Sequence, residues 1–256
     1  QHILDTDASY QDLMLSKTAF IKDPVMAAVY NSDQWNSNGN PVTLNGTQRA
    51  GVLTRAAVLA SGTDKAAPIH RGVVVRRNVL CDEIPNPNPD DFDDPTQLAS
   101  PEVSKFESLR TQIERRTSPP QCMVCHSLIN PPAFALENFD SLGRFRSYEK
   151  VIENGQLIAQ HPVDSKVVDP RIELPNEETL MGAAELSESV AASTKGPACM
   201  VRRWFTFAEG RAPTSEDNCE LNHMYQSLES ENPQASVMKM LKSKATSERF
   251  RQRKWR

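Results

Sequence analysis

Near the midpoint of the chain stand Cys122-Met123-Val124-Cys125-His126, and no other stretch restricts the fold as much. Two thiols three residues apart can each add to a vinyl group of one haem. The adjoining imidazole is then placed to ligate the iron from below, so this spacing reads as c-type haem attachment. A thioredoxin-like redox pair would follow a strand in a βαβ setting, whereas the stretch from Phe106 to Arg116 reads as a polar helix. Zinc would need two further Cys or His at short spacing, and Cys81 and His161 each lie more than thirty residues away. A disulfide bridging Cys122 and Cys125 is the remaining alternative.

With 256 residues, 38% of them hydrophobic and 24% charged, the chain has material for one large or two modest domains. A net charge of −4 and a pI near 5.8 give no electrostatic reason to expect nucleic acid or an anionic membrane as partner. No apolar run approaches the length of a membrane span; the stretch from Gly51 to Ala60 is broken by Thr54 and Arg55. The opening residues Gln1 to Asp7 lack a basic start and an apolar core segment. They read as a cytoplasmic start or as the start of a mature or cleaved product. Haem attachment to C-x-x-C-H takes place outside the bacterial cytoplasm, so the expectation is an exported protein, periplasmic or on the outer surface.

Apolar spacing predicts two short helices over 5–30, with Asp23-Pro24 as a helix start, and an irregular loop over 31–45 around Trp35. Residues 48–60 and the segment after Pro68 through Cys81 also read as helices. Between Ile84 and Pro101, five prolines alternate with Asn and a cluster of Asp, the composition of an extended, solvated linker. A helix follows over 102–116, then the haem motif, then a short helix over 131–140 with Phe134, Leu136 and Phe139 inward. Alternation in 145–151 and 156–163 around Glu153-Asn154-Gly155 predicts a β-hairpin. Four more helices are expected over 177–192, 198–209, 215–227 and 233–242, with N-cap chemistry at Thr214 to Asp217 and an N1 proline at Pro233. A basic tail closes the sequence.

With Cys122 and Cys125 assigned to haem, Cys81, Cys199 and Cys219 remain, so at most one intrachain disulfide forms among them. Two helices joined at Gly210 to Pro213 would form a hairpin bringing Cys199 and Cys219 together. Two separately buried thiols are the alternative.

The run Leu128 to Arg146, directly behind C-x-x-C-H, resembles the signature of the planctomycete- and myxobacterial-type multidomain c-type cytochromes. Arg49 to Thr54, His70-Arg71-Gly72 and Asn78 to Cys81 match the module that carries the haem motif there. Trp204 to Arg211, followed by Asp217 and Cys219, matches the small C-terminal module. Where the family has Asp, this chain has Asn130; where the family has a Leu-Gly pair, it has Pro132-Ala133. A role that needs a carboxylate at 130 is therefore not carried over. The resemblance implies one covalent haem and export more firmly than any substrate. It divides the chain into the end of a preceding module (1–45), a haem-attachment module (46–150, with the linker 84–101), and the hairpin with a C-terminal helical module (151–256). The fold expected is mainly α, a cytochrome c-like helical haem domain with one small β-hairpin.

His126 is the expected proximal ligand. The other axial position decides between an electron carrier and an enzyme with an open iron face, and its candidates are Met181, His161 and His70, with Met200 and Met224 behind them. Arg144 and Arg146 offer guanidinium forks to the haem propionates, or serve as surface ion pairs. Pro131 is read as holding a loop below His126 whose carbonyl accepts the other imidazole N–H. The leading expectation is an electron-transfer module serving a redox partner protein or an upstream domain. A peroxidase- or oxidase-like enzyme and a binding module stapled by haem are the alternatives.

Overall fold

The computed structural model describes residues 1–63, 66–85, 104–169, 179–228 and 235–251, and the fold is mainly α. Most of the expected linker, the start of the helix expected from 102, Pro233 and the last residues of the basic tail lie outside the described residues. The helices are α1 (His2–Asp5), α2 (Tyr10–Leu15), α3 (Pro24–Tyr30), α4 (Ala56–Leu59), α5 (Pro68–Val74), α6 (Leu109–Thr117), α7 (Pro120–Ala135), α8 (Gly182–Ala192), α9 (Lys195–Glu209), α10 (Asn218–Gln226), α11 (Val237–Ala245) and α12 (Glu248–Arg251). Two strands precede α4, β1 (Thr18–Ala19) and β2 (Val42–Thr43); four follow α7, β3 (Tyr148–Glu153), β4 (Gln156–Pro162), β5 (Lys166–Val167) and β6 (Leu180–Met181).

The expected hairpin is β3 with β4, antiparallel, turning through Asn154-Gly155. Among the described residues two further antiparallel pairs accompany it, β1 with β2 and β5 with β6. Each of those pairs holds two residues a strand, too short for alternation to register in a sequence.

Several local signals do what their chemistry requires. The Asp23 carboxylate caps α3 by accepting from the Met26 N–H, with Pro24 in the first turn. Thr214 and Asp217 form a reciprocal capping box ahead of α10. The helix expected over 48–60 is instead two single turns, a 3₁₀ turn over Val52–Thr54 and α4, separated by Arg55 in extended conformation. Arg55 is held out of helix by its guanidinium, which donates to the Ser16 and Thr18 carbonyls at 2.8 and 3.0 Å. Gly51 begins the 3₁₀ turn at φ +55°, where a Cβ would stand 1.8 Å from the Met14 carbonyl oxygen.

A second difference concerns α7. The C-x-x-C-H pentapeptide and Pro131-Pro132 lie in one continuous helix, not in a loop followed by a new helix. An interior proline removes a helical donor, and Pro132 leaves the Leu128 carbonyl without its i+4 partner. Arg76, on a single π turn (Val75–Val79) that continues α5, donates its Nε to that carbonyl at 2.7 Å. Its other nitrogens fork onto Asp169 at 2.6 Å and reach Asp82 at 3.2 Å, in an arrangement whose arginine is fully buried.

The main core gathers α2 with the helices from α7 onward, while Ala19, Ile21, Ala27 and Leu44 form a second, smaller cluster around β1, β2 and α3. Phe134, Leu136 and Phe139, inward as expected, pack with Tyr10 and Met14 of α2, with Leu186 and Val190 of α8 and with Phe205 of α9. Residues of the segment expected to end a preceding module therefore pack into the same core as the C-terminal helices, and the Val237 N–H donates to the Ala8 carbonyl. The boundary expected at 150 falls inside β3.

The disulfide joins Cys81 to Cys199, not Cys199 to Cys219. Helices α9 and α10 do form a hairpin. Cys219, however, opens α10 beside the turn, while Cys199 lies ten residues back from the end of α9, about 15 Å up that helix. Cys199 is buried and its thiol side meets the π turn near Asn78 and Cys81, whereas Cys219 is exposed with a free thiol.

Candidate functional site

Helix α7 opens with Pro120 in its first turn, and the Cys122 N–H donates to the Pro119 carbonyl. Positions i, i+3 and i+4 share one side of a helix, so Cys122, Cys125 and His126 stand together. Both thiols are free and half-buried, which sets aside a Cys122–Cys125 disulfide. Among the described residues no group of three or more His, Cys, Asp or Glu side chains is arranged to hold a metal ion.

His126 is fixed by a relay that runs back into α6. Its Nδ1 lies 2.9 Å from Asn130 Oδ1, one helical turn on. Asn130 Nδ2 donates to Thr117 Oγ1 at 3.0 Å, and that hydroxyl donates to the Ile113 carbonyl at 2.9 Å. With its proton committed to Ile113, the hydroxyl can only accept from Asn130, so the amide oxygen faces the histidine and accepts from Nδ1–H. In the neutral ring Nε2 then carries the lone pair, the form in which an imidazole binds a metal. The acceptor is therefore the Asn130 side chain, not a carbonyl of a loop held by Pro131.

His126 lines a cavity of about 420 Å³. From α6 come Arg110, Glu114 and Thr117, with Ser118; from α7 come Met123, Ser127, Asn130, Pro131 and Phe134; the far wall is Val167 and Val168. Met123 and Val168 are 39% and 57% exposed, apolar surface left beside an imidazole with a free lone pair. The Arg110 guanidinium lies over the Phe134 ring, 4.8 Å from its centroid. It also pairs with Glu114 and donates to the Asp164 and Lys166 carbonyls, so the segment leading into β5 is tied to α6.

The other expected site residues do not converge here. Arg144 is paired with Asp140 at 2.6 Å, and Arg146 with Glu149 at 3.2 Å. Neither lines the cavity, because both follow α7 on the turn that leads to β3; Pro131 does line it. Met181 is 55% exposed on β6, paired opposite Lys166 and so next to the strand that carries Val167. His161 on β4 bonds through Nε2 to the Ser104 carbonyl at 2.7 Å, His70 is exposed on α5, and Met224 is fully buried in the core. The sequence reading passed over Arg110, Thr117, Asn130 as histidine partner, Phe134 and the Val167-Val168 wall. An i, i+4 spacing could have flagged Asn130; the rest depends on α6 and β5 meeting α7.

Residues 49–149 match a family model described as a protein of unknown function (DUF1588), and residues 176–250 match a second, described as a protein of unknown function (DUF1585). The first segment contains the whole relay and C-x-x-C-H, and the Cys81–Cys199 disulfide ties it to the second. No curated protein and no solved structure matches the chain.

Proposed function

We propose that this chain is an exported c-type cytochrome module that carries one covalent haem and passes single electrons to or from a redox partner protein or an upstream domain. Cys122 and Cys125 would hold the porphyrin through thioethers and His126 would ligate the iron through Nε2. The haem supplies one-electron redox chemistry when bound. The observation that carries the reading is the Thr117–Asn130–His126 relay, which leaves Nε2 of the neutral ring with its lone pair at an apolar-walled cavity, with one free thiol at the neighbouring residue and a second one helical turn back. The cavity lies within the usual 300–1,000 Å³ range for bound small molecules. Arg110, rather than Arg144 or Arg146, is the guanidinium in its lining and would be the one to meet a propionate.

The two matched modules support the same reading, being typical of the C-terminal part of planctomycete multihaem cytochrome c proteins. The rest is the chain's own work. Asn130 orients the imidazole and, by accepting from Nδ1, keeps it electron-rich. Met123, Phe134, Val167 and Val168 keep water from one side of the site.

The test is production in a host that attaches haem to exported proteins, followed by absorption spectra of both redox states. Low-spin c-type bands on denaturation-resistant haem, lost in a Cys122→Ser/Cys125→Ser variant, support the proposal. A colourless protein overturns it. One observation favours a peroxidase- or oxidase-like module instead. Among the described residues that line the cavity the one thioether, Met123, is on the same helix as His126, and no second imidazole is present. High-spin ferric haem that turns over peroxide would select that reading.

A further inference from the structure

Behind the cavity wall of Phe134 and Arg110, two glutamates are buried together. Glu137, just past the end of α7, is 2% exposed, and Glu149 on β3 is 1% exposed. Their surroundings differ. Glu149 Oε2 accepts from the Leu109 N–H at 2.8 Å, at the start of α6, and Oε1 accepts from Arg146 at 3.2 Å. A helix N-terminus and a guanidinium both favour a carboxylate. Neither oxygen of Glu137 has a donor, although its carboxyl lies within hydrogen-bonding reach of Glu149. An ionised Glu137 would thus be a desolvated charge with no partner beside a like charge, a costly state. As an acid it donates to Glu149 through one oxygen, and the other is left as a neutral carbonyl, far less costly to bury than a carboxylate.

We propose that Glu137 and Glu149 form a redox-linked proton site: they share one proton at neutral pH, and the pair binds it more tightly when the site at His126 holds an additional electron. This rests on the haem reading above. The connection runs through two residues: Phe134 and Arg110 line the His126 cavity, the Glu137 N–H donates to the Phe134 carbonyl at 3.0 Å, and Arg110 also acts electrostatically on Glu137. The charged and titratable groups facing the pair are Arg110 of α6, Arg146 ahead of β3, Arg71 of α5, and His161, directly opposite Glu149 in the hairpin. Burial first, then the Glu149 charge, pushes the Glu137 carboxyl up to about 8. Above neutral pH, where the oxidised protein has lost the shared proton, the site takes one electron from a one-electron donor and the pair takes one proton from solvent. No other bond forms or breaks, and both leave on reoxidation. By linkage, losing the proton lowers the reduction potential.

The experiment is a redox titration of the haem-loaded protein from pH 6 to 10, with wild type, Glu137→Gln and Glu149→Gln each checked for native far-UV dichroism. Glutamine keeps the shape and the donor at 137 while removing the titration. The expected result is a wild-type potential that falls as pH rises through the region of about 8, with that segment of the slope absent in Glu137→Gln and moved to lower pH in Glu149→Gln. Infrared spectra at pH 7 would show a protonated carboxyl band in wild type that Glu137→Gln lacks. A potential independent of pH, or a slope unchanged in the folded variant, overturns the coupling while leaving the cytochrome reading intact. Absence of any haem spectrum removes the cytochrome reading and the coupling with it, an outcome recognisable before the first titration.

Discussion

The Nε of Arg76 donates at 2.7 Å to the carbonyl of Leu128, the acceptor that Pro132 strips of its helical partner. A proline inside a helix ordinarily breaks or kinks it. Here the lost bond is replaced from a neighbouring helix, so α7 runs unbroken from C-x-x-C-H past both prolines. The same guanidinium forks onto buried Asp169. Replacing Arg76 with Met removes the counter-charge of a buried carboxylate and is expected to cost about 3–5 kcal/mol. Urea unfolding measures this, and a loss under about 1 kcal/mol, the scale of a surface pair, would refute it.

Gly72 lets α5 approach α7. A Cβ there would stand 2.3 Å from the Ile129 carbonyl oxygen and 2.9 Å from the Ala133 Cβ. Helix propensity alone favours alanine over glycine, yet the contact is with backbone, which yields little. Gly72→Ala should therefore destabilise by about 1–3 kcal/mol through overpacking. A thermal midpoint equal to or above wild type would show that the helices separate freely.

The Cys81–Cys199 bond spans 118 residues of sequence. On the chain-entropy account, closing a loop of that length stabilises by about 4–5 kcal/mol. Cys81→Ser or Cys199→Ser should each lower the unfolding midpoint, whereas Cys219→Ser should leave it unchanged. Thiol titration of denatured, unreduced protein gives a separate check: three reactive thiols without haem, namely Cys122, Cys125 and Cys219, and Cys219 alone once thioethers form. A reactive Cys199 under those conditions would contradict the assigned pairing.

Asn130 sets the electron density on His126. In the haem-loaded protein Asn130→Asp, with a charged acceptor at Nδ1–H, should lower the reduction potential; Asn130→Leu, with none, should raise it. Equal potentials across the three proteins would mean that the relay fixes the ring without tuning it.

Glu137 predicts how stability responds to pH. Its folded-state value of about 8 lies above the ordinary 4.5, so between these values the folded chain binds more protons than the unfolded one. Stability contributed by this group is complete below the unfolded value and is lost as pH rises through about 8. Denaturant midpoints of the wild type should fall across that interval, more steeply than those of Glu137→Gln. Parallel curves for the two proteins would contradict the raised value.

Parts of the architecture were legible because they are local. Asp23-Pro24 and Thr214 to Asp217 cap helices with atoms three residues apart, and the β3–β4 hairpin announces itself by alternation around Asn154-Gly155. The helix expected over 48–60 failed because Arg55 is recruited by carbonyls 37 and 39 residues earlier in the chain. Arg49 makes the same point. Its buried guanidinium lies between Tyr30 and Phe139 and donates to carbonyls of Val29, Thr54 and Gly143, partners that no spacing rule connects.

The order of C-x-x-C-H, with Asn130 four residues after His126, was determined by sequence alone, whereas the single helix that brings these residues to one side was not expected from it. Tertiary structure decided which cysteine meets Cys199, which arginine borders the cavity, and that Glu137 and Glu149 are buried side by side. Those outcomes depend on how separate elements pack. Burial, in turn, gives a carboxyl or a thiol properties that its identity does not contain.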